Sequence, residues 1–127
     1  CIRLSGCPSL SLKKLDDLDI QEDIIDLLKI DSMGFEKFVL LGSKNILEKT
    51  RCIQLPISGS YPKFFQMYGY EYEEILQILR KHNFEIFEYN NKKNLFHLDS
   101  NSIPKKGDLL AISDIKNFVK RTNYTIM

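Results

Sequence analysis

The sequence has no tryptophan, three cysteines, six glycines and no apolar stretch long enough to cross a bilayer. Each shortage closes off a class of protein. Cys1, Cys7 and Cys52 form no C-x-x-C pair, and neither His82 nor His97 stands near a cysteine cluster, so no structural zinc site is expected. An odd, sparse cysteine count points away from a secreted disulfide scaffold and towards a reducing compartment. With no signal peptide in sight, a cytoplasmic location is the expectation. Charge of one sign is missing too. Eighteen basic residues face seventeen acidic ones, a net charge of +1. That balance gives no electrostatic reason to expect nucleic acid or a membrane as partner. The glycines, at positions 6, 34, 42, 59, 69 and 107, never come close enough to make a G-x-G turn. That turn is the backbone device by which open α/β sheets approach a nucleotide.

What is present suits one modest core, with 43% hydrophobic and 28% charged residues in 127. The chain opens on Cys1, not Met, which points either to a chain cut for expression or to an incomplete reading frame. Residues 1–18, with Gly6 and Pro8, read as an irregular N-terminal segment, and 19–127 as the folded part. The nearly continuous apolar run Ile24–Ile30 predicts a strand buried on both faces. Asp31 and Ser32 follow as helix caps. Phe35, Phe38, Val39, Gly42 and Ile46 predict one helix over 35–48. Arg51–Leu55 reads as a strand stopped by Pro56, and 58–70 as a loop. Tyr72, Ile75, Leu76 and Leu79 fall at i, i+3, i+4 and i+7, which predicts a helix over 72–82. Strands follow at Phe84–Tyr89, Leu95–Leu98 and Asp108–Ile112, with a turn at Asn90–Asn94. Ser113 is placed to cap a last helix carrying Ile115, Phe118 and Val119. Alternating strands and helices predict an α/β fold: parallel strands ending in an antiparallel hairpin, flanked by helices.

One stretch is more specific. Ile25-Asp26-Leu27-Leu28-Lys29-Ile30-Asp31, followed by Gly34-Phe35-Glu36, resembles the central signature of the FkbM-type methyltransferases. That signature reads I-D-L-L-K-I-D, two further positions of which the second is acidic, then G-F-E. Leu15-Asp16-Asp17-Leu18 resembles an upstream element of the family, and Ile53-Gln54-Leu55 with Gly59 and Tyr61 a downstream one. The likeness runs from about Ser11 to Ile112. It implies a partial Rossmann-like, class I methyltransferase sheet, of which this chain holds strands four to seven. It further implies S-adenosylmethionine as methyl donor in a complete family member, and a hydroxyl of a sugar or other small metabolite as acceptor. On the matching positions it implies Asp31 as the catalytic candidate and Gly34, Glu36, Gln54 and Tyr61 as substrate-binding candidates. The glycine-rich turn and the ribose-binding acid belong to the first strands of such a sheet, so no cofactor is expected on this chain alone. Two positions depart from the family pattern. Met33 replaces the acid of the central signature, and Pro56 replaces a glutamate after Ile53-Gln54-Leu55. Both lie just past strand ends, where a carboxylate serves as base or ligand.

Plainer roles compete at each position. Asp31 suits a helix cap, and Glu36 in a first turn favours the helix dipole. Tyr61, Tyr68 and Tyr70 suit packing over the sheet end as well as stacking on a sugar. Lys29, inside the apolar run, needs a partner such as Asp26 or Asp31. Two functions stay open: the C-terminal part of a methyltransferase, inactive alone, or a noncatalytic binding or assembly module derived from one. In either case the Ile24–Ile30 strand lacks a neighbour on one side, so a homodimer is expected.

Overall fold

The computed structural model describes residues 11–56, 62–102, 104 and 107–127, with the side chains of 62–64 left aside. Its centre is a six-stranded sheet in the order β1-β2-β5-β3-β4-β6. The strands are β1 (Leu28–Lys29), β2 (Cys52–Pro56), β3 (Glu85–Tyr89), β4 (Asn94–Leu98), β5 (Asp108–Ile112) and β6 (Thr125–Ile126). β1 and β2 are parallel, with Leu28 opposite Ile53. β5 lies between β2 and β3 and is antiparallel to both. β3 and β4 form a hairpin. Its turn is built by Asn90, whose Oδ1 accepts the N–H groups of Lys92 and Asn94, with Lys93 at φ 60°. β6 adds in parallel to β4 and has no counterpart among the sequence expectations, since a two-residue strand carries no periodicity.

Helices cover the two faces unequally. Over one face lie α1 (Glu36–Leu41), α2 (Lys44–Glu48), α3 (Pro62–Met67) and α4 (Tyr72–Lys81). Tyr72, Ile75, Leu76 and Leu79 of α4 are buried there against Ile53, Leu55, Ile86 and Leu109. This apolar burial is the main driving force for docking the helix. On the other face α5 (Ile115–Arg121) sets Ile115 and Phe118 on a smaller cluster of Cys52, Phe87, Leu95, Leu110 and Ile112. Cys52 is buried and unpaired, and desolvation lifts its thiol to about 12, so it packs as a small hydrophobe. No described helix is long and apolar enough to cross a membrane.

Several elements differ from the sequence expectations. The Ile24–Ile30 strand shrinks to Leu28–Lys29 and a bridge between Ile25 and Thr50. It forms the edge of the sheet, so Ile24 and Leu27 are 50% and 55% exposed, and Lys29 is exposed rather than buried. Asp26 turns to Arg51 and Arg121 instead of Lys29. The single helix over 35–48 is two helices broken at Gly42 and Ser43. Here the 3-10 turn at Leu15–Asp17 presses in: a Cβ on Gly42 would stand 3.2 Å from Lys14 Cβ. Asp16 then caps α2 from a distance, its two carboxylate oxygens accepting Asn45 N–H and Ile46 N–H, each at 3.0 Å. The 58–70 loop contains α3. Asp114, not Ser113, caps α5, accepting Asn117 N–H at 3.0 Å. Pro56 ends β2 from within, opposite Asp108.

Candidate functional site

Because β1 and β2 run parallel, their C-terminal ends lie together, and open α/β sheets bind ligands at such ends. The chain leaves β1 through Asp31, Ser32, Met33 and Gly34 and enters α1. Met33 and Gly34 have φ values of 52° and 100°. The first is an uncommon conformation for a methionine, and the second is one that glycine adopts freely. Glu36 holds the bend. Its Oε1 accepts Ser32 N–H at 2.9 Å and its Oε2 accepts Gly34 N–H at 2.8 Å. Glu36 is 1% exposed, the one buried carboxylate among the described residues. Two backbone donors and the adjoining first turn of α1 compensate that charge.

One tyrosine ties down the bend and a second the end of β2. Tyr70 donates its hydroxyl to Gly34 O at 2.6 Å, and Tyr72 donates to Pro56 O at 3.1 Å. Burial pushes the Tyr70 phenol up to about 12, so it stays a donor through the physiological range. Lys37 lies 5.2 Å from the Tyr70 ring centre and pairs with Glu74 at 2.9 Å. Beside them, half-exposed rings gather. Phe35 is 4.8 Å from Phe38 and 5.4 Å from Tyr68, centre to centre. Asp31 is exposed and has no side-chain hydrogen bond among the described residues, and the Phe35 N-cap of α1 has no side-chain cap. The capping role expected of Asp31 is therefore replaced by the buried Glu36 carboxylate.

The candidate residues fall into two places. Asp31, Gly34 and Glu36 share the bend after β1. Gln54 points to the opposite face of the sheet, where its Nε2 donates to Tyr89 Oη at 3.0 Å and Asp108 Oδ2 at 2.8 Å. Tyr61 and Gly59 lie outside the described residues. Tyr70 enters the bend from 36 positions along the chain, a contact no local pattern could announce. Among the described residues no group of histidine, cysteine and carboxylate side chains is arranged to hold a metal ion.

The bend thus presents a carboxylate that is unengaged among the described residues, at a strand end, on backbone held by a buried acid and a tyrosine, with aromatic rings alongside. The family model for the Methyltransferase FkbM domain matches residues 5–86, well over half of the chain. The chain belongs to the FkbM methyltransferase domain family. The match includes the bend and ends within β3, so the β4 and β5 strands and α5 lie beyond it. No curated protein and no solved structure matches the chain. The family implies S-adenosylmethionine as methyl donor in full members. β1 is the sheet edge, no two described glycines lie together to let backbone approach a nucleoside, and both Glu36 oxygens are engaged by backbone. The side chains of this bend in the FkbM-family chain offer a carboxylate and an aromatic wall.

Proposed function

We propose that this chain forms the acceptor-side part of an FkbM-type O-methyltransferase with a partial Rossmann-like sheet, and that it transfers no methyl group alone. The observation that carries the reading is the family match across a bend held by Glu36, where Asp31 is unengaged among the described residues. Asp31 then orients an acceptor hydroxyl and takes its proton, a task that needs an unengaged carboxylate within hydrogen-bond reach. The rings of Phe35 and Tyr68 suit the apolar face of a sugar or similar small metabolite. The cofactor site comes from a further portion of polypeptide. In this reading the chain also self-associates, through the exposed edge of β1.

A second reading rests on Met33 and Pro56. Both stand where the family pattern has acids, and Met33 is 56% exposed at the bend. Such a site favours a binding or assembly module that has lost the reaction. Isothermal titration of S-adenosylmethionine into the 127 residues tests the shared premise. No saturable heat is expected. One-site binding tighter than about 100 μM, or ~5.5 kcal/mol, overturns it. Supplying a family cofactor half in trans separates the two readings. Methylation of a sugar hydroxyl that is lost in Asp31→Asn supports the first, and no methylation supports the second.

A further inference from the structure

On the face of the sheet away from the bend, α5, β2, β5 and the segment leading into β1 line an open cleft of about 400 Å³. That volume falls in the range of small-molecule sites, roughly 300–1,000 Å³. Its floor and walls are apolar, formed by Leu27, Cys52, Leu110 and Phe118. One end is aromatic: the Tyr124 ring centre lies 5.5 Å from Phe118 and 6.3 Å from Tyr89. The mouth holds two arginines gathered on one aspartate. Arg51 Nη1 and Arg121 Nη1 both donate to the same oxygen, Asp26 Oδ1, at 3.0 and 2.8 Å. Two guanidinium groups with five donors each thus share one carboxylate oxygen, and most of their donors stay unused by it. Asp114 also lines the cleft, but its carboxylate caps α5 at Asn117 N–H. The formal charges of Arg51, Arg121, Asp26 and Asp114 balance, so what the mouth offers a ligand is the guanidinium donors that Asp26 leaves unused.

We propose that this cleft binds a small aromatic carboxylate, its ring against the aromatic end formed by Phe118, Tyr124 and Tyr89 and its carboxylate on Arg51 and Arg121. Planar guanidinium forks recognise carboxylates in two-pronged fashion, which fits them better than a lysine would. Gln54, held by Tyr89 and Asp108, fixes the floor beneath the ring. Asp26 is the internal competitor of the ligand. It is 66% exposed and needs only to swing aside or share its arginines. The proposal does not depend on methyl transfer.

The probe is naphthoate, with neutral naphthyl methanol as its matched control, titrated into the full chain by ligand-observed NMR and calorimetry. Saturable naphthoate binding is expected, with the alcohol at least ~10-fold weaker because the charge-assisted bonds are lost. Arg121→Gln should weaken naphthoate by a similar factor and leave the alcohol unchanged. Asp26→Asn removes the same ion pairs but frees both arginines, so naphthoate should bind more tightly. A plain structural role for the Arg–Asp–Arg cluster predicts the opposite, with both variants loosening α5 and weakening binding alike. That parallel loss, equal affinity for acid and alcohol, or no saturable binding overturns the proposal.

Discussion

Asp31 and Glu36 are both acidic, both near the start of α1, and both suited by position to stabilise its N-terminus. The structure separates them. Glu36 is buried with each oxygen on a backbone N–H, while Asp31 is exposed and unengaged among the described residues. Removing a buried acceptor leaves its donors unsatisfied, which costs about 1–3 kcal/mol. Glu36→Ala should therefore lower the thermal midpoint by several degrees, whereas Asp31→Ala should leave it unchanged. Paired melting curves check this, and a large drop for Asp31→Ala would show that it bonds to a group near the bend. Sequence position alone could mark both residues as first-turn acids. It could not tell which one folds back, because that depends on Met33 and Gly34 both taking positive φ. Nor could it supply the Tyr70 hydroxyl, which closes the bend from a different element.

Elements with a repeating apolar stripe were legible in the sequence, as α4 shows, because burial against the sheet enforces the period. Elements whose limits depend on long-range contacts were not. The break between α1 and α2 is set by a segment that arrives near Gly42 and caps α2 through Asp16. The short β1 reflects a ladder with a neighbour on one side only, where Asp26 leaves the pairing to meet two arginines. This ion triad joins β1 and β2 to α5 and makes the join sensitive to acid. The hydrogen bonds from Arg121 and then Arg51 hold the Asp26 carboxyl below its ordinary 3.8. A carboxyl whose folded value is depressed stabilises the fold fully above the unfolded value, and that contribution is lost as pH falls through the lower folded value. Asp26→Asn should thus melt slightly below the unsubstituted chain at neutral pH, with the gap closing as pH drops below 3.8. Because Asp26 is exposed, the gap should also narrow in high salt. Melting both proteins across an acid series decides it, and a gap that does not change with pH would mean that the ion pairs leave stability untouched.

At the scale of the molecule, alternation of strands and helices predicts an α/β sheet of parallel strands ending in an antiparallel hairpin; the sheet is α/β but mixed, and only β1–β2 and β4–β6 pair in parallel. The insertion of β5 between β2 and β3 was beyond reach, since strand order is a property of packing and not of local pattern. The same sheet leaves β1 at its edge, paired among the described residues with β2 alone. An edge strand offers unpaired backbone donors and acceptors, and most proteins blunt it with charge or cover it. Here Lys29 and Asp26 supply some charge, but Ile24 and Leu27 are each at least half exposed along the same edge. Exposed apolar side chains beside an open ladder favour association, and two copies meeting about a two-fold axis bury the same edge on both. The expected species at micromolar concentration is therefore a dimer, twice the 14.9 kDa monomer mass by light scattering. Leu27→Lys places a charge in the centre of that edge and should yield a monomer or an unfolded chain, which circular dichroism tells apart. Leu12, although 95% exposed, lies in the N-terminal segment before the 3-10 turn, so Leu12→Lys should leave the dimer intact and serves as the control. A well-folded, strictly monomeric parent chain would mean that the charges on β1 blunt its edge unaided.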